Sequence, residues 1–206
     1  MSVLLVATRN RGKQPELRQL LAPLGMELRF PDEIGLAELP EEQQVEQFDT
    51  FIENARAKAE YFLARSGLAT VADDSGVEVD ALGGAPGVHS RFFAGLRGPD
   101  HDVTQANNAE MLHRLRDVPL AERTARYRGV LVLCRPGLPE IVAEGVTEGH
   151  IAFAPSGDSG FGYDPLFVST ELGKSFGDAT AEEKASVSHR ARAAQALISL
   201  IKGDHR

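Results

Sequence analysis

The chain has 206 residues, 42% of them hydrophobic, a single cysteine and a formal net charge of −8. This length can bury a sizeable core, and the lack of any run of about 18 apolar residues predicts no membrane span. One cysteine excludes an intrachain disulfide and a cysteine-rich zinc site and fits a reducing cytoplasm, while the acidic balance argues against a general nucleic-acid binder.

Val3, Leu4, Leu5 and Val6 predict a buried strand, which leaves no room for a signal peptide ahead of it. The strand runs into a polar turn carrying Thr8, Asn10, Gly12 and Lys13. Pro15 and Glu16 then open a helix with Leu17, Leu20, Leu21 and Leu24 on one face. Glu27 to Phe30 reads as a second strand, closed by Pro31. Residues 31–49 are acidic and irregular and read for the most part as a solvated loop. Thr50 and Glu53 form a capping box that starts a helix running to about Arg65 and closed by Gly67. Ala69 to Ala72 predicts a short strand ending in Asp73-Asp74-Ser75-Gly76, with a second short strand from Val77 to Asp80. A Gly-Gly-Ala-Pro-Gly loop follows at 83–87.

Asp102 with Gln105 caps the next helix, which has Ala109, Leu112 and Leu115 in register. Three strand candidates come after it: Thr124 to Leu133, Glu140 to Val146 and His150 to Phe153. Thr180 to Lys184 is a helical turn with its own Thr-x-x-Glu cap. A last helix begins near Ser188 and stops at Gly203, with Ala191, Ala194, Leu197, Ile198 and Ile201 inward. Early helices alternating with strands and a later strand cluster predict an α/β fold with no internal repeat or linker.

Several of these segments carry residues suited to phosphate chemistry. A strand-turn-helix sets backbone N–H groups and the positive end of a helix dipole where a phosphate can sit, with Lys13 adding a point charge. Asp73 and Asp74 are neighbours on a strand, so they point to opposite faces: one meets a ligand and the other supports it. Glu46 and an aspartate together supply hard oxygens suited to Mg²⁺, which prefers phosphate-bound sites. Asn54 and Lys58 share a helix face. Lys184, His189 and Arg190 gather at the start of the last helix, where positive charge opposes the dipole and favours a ligand-facing role. Phe161 stands between two glycines that let backbone approach a flat ligand.

The ordered set of motifs is more specific than any one of them. Ala-Thr-x-Asn-x-x-Lys at 7–13, Phe-Ile-Glu-Asn-Ala-x-x-Lys-Ala at 51–59 and Ala-Asp-Asp-Ser-Gly at 72–76 come first. Leu-Gly-Gly-Ala-Pro-Gly-Val at 82–88, Gly-Phe-Gly-Tyr-Asp-Pro at 160–165 and Lys-x-x-x-Ser-His-Arg at 184–190 complete it. Together they resemble the inosine-triphosphate pyrophosphatase family, the XTP/dITP pyrophosphatases that clear non-canonical purine nucleotides. The resemblance implies one domain over residues 1–206: a mixed central sheet with flanking helices, elongated and two-lobed, with the active site in a cleft between the lobes.

It also implies a cytoplasmic homodimer that uses Mg²⁺ and splits a purine nucleoside triphosphate into monophosphate and pyrophosphate. By motif match, Thr8, Arg9, Asn10, Arg11, Gly12 and Lys13 hold the phosphates with help from Lys58. Glu46 and Asp74 hold the metal, Asp74 is the base for the attacking water, Ser75 contacts the substrate and Asp73 supports the site. Phe161, Gly162, Tyr163, Asp164, Lys184, His189 and Arg190 surround the purine. The chain departs from the family pattern at Gln47-Phe48, where Thr-Gly is usual, at Ser90-Arg91-Phe92-Phe93, where the arginine is shifted by one, and at Pro155-Ser156-Gly157, which lacks an arginine. A related pyrophosphatase for another nucleotide and a non-catalytic nucleotide-binding regulator are the alternative readings. The retained carboxylates count against the regulator, since binding alone needs no general base.

Overall fold

The computed structural model describes residues 2–203; Met1 and residues 204–206 of the expected 1–206 domain lie outside the described residues. Among the described residues six strands form one mixed sheet in the order β2-β1-β3-β4-β5-β6. They are β1 (Val3–Val6), β2 (Glu27–Arg29), β3 (Thr70–Val79), β4 (Thr124–Arg135), β5 (Leu138–Ile151) and β6 (Phe167–Ser169). The helices are α1 (Lys13–Leu21), α2 (Phe51–Ser66), α3 (Asp100–Arg114), α4 (Ala181–Val187) and α5 (His189–Gly203). Strand β1 is parallel to both β2 and β3, with Leu5 opposite Arg29 on one side and Thr70 on the other, whereas β6 runs antiparallel to β5. The mixed α/β class expected from the sequence is the one observed. Among the described residues no helix is long and apolar enough to cross a membrane.

The chain divides into two compact units. Among the described residues the first comprises 2–74, Gly129–Gly145 and 190–203. Its core joins Leu4 and Val6 of β1 and Val71 of β3 to Leu17 and Leu21 of α1 and to Ala193, Ala194 and Leu197 of α5. Leu4, Leu5 and Val6 are buried in succession, as expected of a parallel strand covered on both faces. The second unit comprises Ser75–Arg128 and Val146–His189. Its core packs Val77 and Val79 against Met111 and Leu115, with an aromatic group of Tyr127, Phe167 and Phe176.

Several boundaries differ from the sequence expectations. Asp73-Asp74-Ser75-Gly76 does not end a strand but lies inside β3, which runs unbroken from Thr70 to Val79. Gly76 permits this: a Cβ there would stand 2.3 Å from the Gly87 carbonyl oxygen and 2.5 Å from Ser90 Oγ, so only glycine lets the two segments close. The second and third strand candidates after α3 are one strand, β5. Residues that read as a break are held within it, Thr147 by donating its hydroxyl to Val187 O at 2.7 Å and Gly149 by pairing with Ser169 of β6. Phe153 lies outside any strand, its exposed ring 4.0 Å from the guanidinium of the buried Arg123.

Helix α3 begins at Asp100, because the Pro99 carbonyl accepts from Asp102 N and Val103 N; Asp102 therefore sits in the first turn and is not the cap. Its buried face is Val103, Asn107 and Met111, and Ala109 is exposed. Asn107 is tolerated there because its carboxamide is satisfied by Ala94 N, Ser90 O and Arg91 O. Helix α1 starts at Lys13, two residues before Pro15. Both Thr-x-x-Glu caps form, Thr50 over α2 and Thr180 over α4, although the Glu53 carboxylate accepts the Thr50 hydroxyl at 2.7 Å.

Candidate active site

The turn from β1 into α1 is built around its own side chains. Asn10 Oδ1 accepts from Gly12 N at 2.8 Å and Lys13 N at 3.2 Å, and Asn10 N donates to Thr8 Oγ1. Two amides that the sequence assigned to phosphate are thus already held by Asn10, which shapes the turn as a side-chain platform. Arg11 is exposed at its tip, and Thr8 is buried. Arg9 turns into the acidic segment after β2, where its guanidinium meets Glu42, Asp32 and the Leu36 carbonyl.

Behind the turn stands a buried charge cluster. Asp73 is 2% exposed, and its carboxylate receives Lys13 Nζ at 2.6 Å on one oxygen and Arg190 Nε at 3.1 Å on the other. Burial works against ionising Asp73, but Arg190 and Lys13 outweigh it and hold the carboxyl far below the usual carboxylate range. Arg190, also buried, donates a second hydrogen bond to Glu16 at 2.7 Å. Both Asp73 and Arg190 therefore hold the site together through one another, and a group buried this well with two opposite charges stays ionised at any ordinary pH.

Asp74, the next residue along β3, has the opposite character. It is half-buried, and burial together with the negative charges of Glu46 and Asp73 pushes its carboxyl up to about 6, against the pull of Lys58 and Lys13. A carboxyl poised there is matched to taking a proton near neutral pH. Lys58, from the second turn of α2, donates to the Asp73 carbonyl at 2.7 Å and pairs with Glu46. Burial lowers its pKa, but Glu46, Asp74 and Asp73 raise it further, so the ammonium stays charged. Glu46 is exposed and arrives from the end of the irregular segment.

Among the described residues no group of three or more carboxylates, histidines or thiols forms a ready cation cage. The donor set nevertheless suits Mg²⁺, which binds through one or two carboxylates and completes its shell with water and phosphate oxygens. Glu46 and Asp74 are hard oxygen donors whose mutual repulsion is relieved here by Lys58, the service a divalent ion would perform.

The second unit holds the aromatic and cationic residues singled out near the C-terminus. Asp164 is 2% exposed and accepts from Lys184 Nζ at 2.5 Å and from Phe161 N at 2.8 Å. Gly160 has φ +77°, and a Cβ on it would lie 2.0 Å from Asp164 Oδ2, so glycine is needed to bring the loop onto its carboxylate. Lys184 Nζ lies 5.1 Å from the centre of the half-buried Phe161 ring. His189 stacks on Tyr127 with ring centres 4.7 Å apart and an angle of 12°. Tyr163 points into the core and donates to Ser90 O at 2.8 Å, and burial raises its phenol well above the usual range. Gly162 O accepts from Asn108. Ser75, half-buried, opens this unit directly after Asp74.

Residues 4–200 match the Ham1 family. The chain belongs to that family. It is 44% identical over 198 residues to a dITP/XTP pyrophosphatase of Thermus thermophilus, an alignment covering 96% of this chain and 91% of that protein. It is 43% identical over 198 residues to the dITP/XTP pyrophosphatase of Geobacillus kaustophilus, covering 94% and 91%. The chain spans 59% of the length of the Streptococcus mutans dITP/XTP pyrophosphatase, to which it is 41% identical over 200 residues. The solved HAM1 protein of Coxiella burnetii superposes with a TM-score of 0.84 at 30% identity, covering 98% of this chain and all of that one.

This Ham1 chain also contains site neighbours that the sequence did not single out. Glu42 and Arg65 join Arg9, Glu16 joins Arg190, and Tyr127 lies under His189. Glu16 read as a helix opener and Tyr127 as an ordinary strand aromatic; nothing in their spacing signals partners 174 and 62 residues away.

Proposed function

We propose that this chain is a nucleoside-triphosphate pyrophosphatase that hydrolyses dITP, ITP and XTP to the monophosphate and pyrophosphate. The observation that carries the reading is the pairing of Asp73 and Asp74: one carboxylate locked ionised between Lys13 and Arg190, its neighbour raised to about 6. Such a split between adjacent carboxyls separates a structural anion from a general base. The names of the dITP/XTP pyrophosphatases it resembles support the substrate class.

In this reading the phosphates lie against Thr8, Asn10, Arg11, Gly12 and Lys13, with Lys58 reaching them from α2. Glu46 and Asp74 hold Mg²⁺, which when bound neutralises phosphate charge and polarises the α-phosphorus. An Asp74 carboxylate oxygen takes the proton of the water that attacks that phosphorus. Lys13 and Lys58 offset the charge that builds on the departing pyrophosphate. Ser75 contacts the substrate. Phe161 offers a face for the purine, and Gly162, Tyr163 and Asp164 shape the loop that presents it. Lys184 and His189 favour a purine with a 6-keto acceptor over adenine with its amino donor. Arg190, expected from the motif beside the purine, has its Nε and Nη1 on Asp73 and Glu16 and acts through Asp73. Residues 1–206 act as one catalytic domain, in a cytoplasmic homodimer that binds neither nucleic acid nor membrane.

Pyrophosphate release across ATP, GTP, CTP, UTP, ITP, dITP and XTP, with and without Mg²⁺, tests the proposal. Turnover confined largely to ITP, dITP and XTP and abolished by chelator is expected. Intact ITP in excess Mg²⁺ would refute the reading, and tight nucleotide binding without turnover would favour a regulator. Light scattering checks the dimer.

A further inference from the structure

The phosphate turn contributes an arginine whose charge is spent elsewhere. Arg9 Nε donates to Glu42 Oε2 at 2.7 Å and Nη2 to Glu42 Oε1 at 2.9 Å, a bidentate pair. Nη2 also donates to Leu36 O at 3.0 Å, and Nη1 meets Asp32. All three guanidinium nitrogens are engaged, and the side chain is 16% exposed. Glu42 is shared: Arg65 of α2 donates to it at 2.6 Å and to the Ala37 carbonyl at 2.8 Å. The segment between β2 and α2, legible in sequence as a solvated acidic loop, is therefore fastened to the phosphate turn on one side and to α2 on the other.

The spacing of these pairs gives the fastening a consequence. Arg65 and Lys58 are two turns apart on one face of α2, about 10.5 Å along its axis. Glu42, at Arg65, and Glu46, at Lys58, are four residues apart, and four residues span at most about 14 Å of extended chain. Fixing Glu42 thus leaves the backbone at Glu46 little room to wander. Glu46 itself is exposed, and the chain around it carries Gln47-Phe48.

We propose that Arg9 is a positioning residue: by clasping Glu42 it holds the segment that ends at Glu46 and so sets the Mg²⁺ site, and it does not bind the triphosphate. The proposal rests on the reading of Glu46 as a metal ligand. The Arg9–Glu42 pair couples the phosphate turn to the metal-bearing segment, so a loosened clasp costs the enzyme metal affinity before nucleotide affinity. A lysine at position 9 keeps the charge but loses the bidentate fork, and holds the segment only in part.

Arg9→Ala, Glu42→Gln, the double variant and Arg9→Lys test this with two measurements. Hydrogen exchange of metal-free, nucleotide-free protein should show faster exchange over residues 36–46 in both single variants, with Arg9→Lys between them and the parent. The Mg²⁺ concentration giving half-maximal ITP hydrolysis should rise about tenfold in each single variant, the size seen when a group supporting a metal ligand is lost. The double variant should add little, and the KM for ITP at saturating Mg²⁺ should stay close to the parent value. A raised KM for ITP in Arg9→Ala with Glu42→Gln unaffected would overturn the proposal in favour of phosphate binding. Unchanged exchange over 36–46 would overturn it as well. The exchange measurement needs no turnover, so a failure of the clasp and a failure of the proposed activity read out separately.

Discussion

Replacing Asp74 by Asn should make the metal-free protein more stable at pH 8 and leave it unchanged at pH 4. In the folded chain burial, Glu46 and Asp73 raise the Asp74 carboxyl from its ordinary 3.8 to about 6. A carboxyl with a raised pKa binds its proton more tightly when folded. Its ionisation therefore penalises folding, with no penalty below about pH 4, growth between pH 4 and 6, and the full penalty above. At 1.36 kcal/mol per pH unit the full penalty is about 3 kcal/mol. Asn carries no charge at any pH and escapes it. For a chain of this size 1 kcal/mol moves the melting temperature by about 2–4 °C, so the variant should melt about 6–12 °C higher at pH 8. Thermal unfolding in chelator from pH 4 to pH 8 measures this, and pyrophosphate release should be lost in the same variant. A variant that melts at or below the parent at pH 8, or whose advantage does not vary with pH, would refute the electrostatic account. Asp73 has the opposite sign: its carboxyl is lowered, so its contribution is present above pH 3.8 and fades only in stronger acid.

Asp73→Ala leaves Arg190 and Lys13 without the carboxylate between them and should cost about 3–5 kcal/mol in urea unfolding, as for a broken buried pair; a loss under about 1 kcal/mol would contradict its anchoring role. Gly76→Ala forces a methyl to within 2.3 Å of the Gly87 carbonyl and should destabilise by about 1–3 kcal/mol, whereas an unchanged denaturation midpoint would mean that the two segments part without cost. His189→Ala should raise activity on ATP relative to ITP, measured as a ratio of kcat/KM values. An unchanged ratio would remove His189 from purine selection.

The parts of the fold that were legible in sequence are those whose signal is local. The β1 strand, the Thr50 and Thr180 caps and the stop at Gly67 depend on neighbours within a few residues, and each formed where expected. The errors fell where a distant partner changes the reading. Asp73-Asp74-Ser75-Gly76 has the composition of a turn, yet cations from α1, α2 and α5 make it viable as the middle of a strand. The break expected between Val146 and His150 vanished because Thr147 is held by Val187 O and Gly149 pairs with Ser169 of β6, a strand only three residues long and unpatterned.

The candidate site divides along the same line. The ordered motifs, through the family they resemble, named Lys13, Lys58, Glu46, Asp73 and Asp74 as a phosphate-and-metal set; taken singly, each of these residues also suits a plain turn, loop or surface position. Which aspartate is locked and which is poised followed only from burial and from the charges brought beside each. Arg9 makes the same point from the other side, since its position in a phosphate motif said nothing of Glu42, 33 residues away. Sequence carries the chemical groups and the short-range hydrogen bonds, whose partners lie within a turn. Electrostatic environment depends on desolvation and on charges that chain distance does not report, so it was decided by the tertiary structure alone.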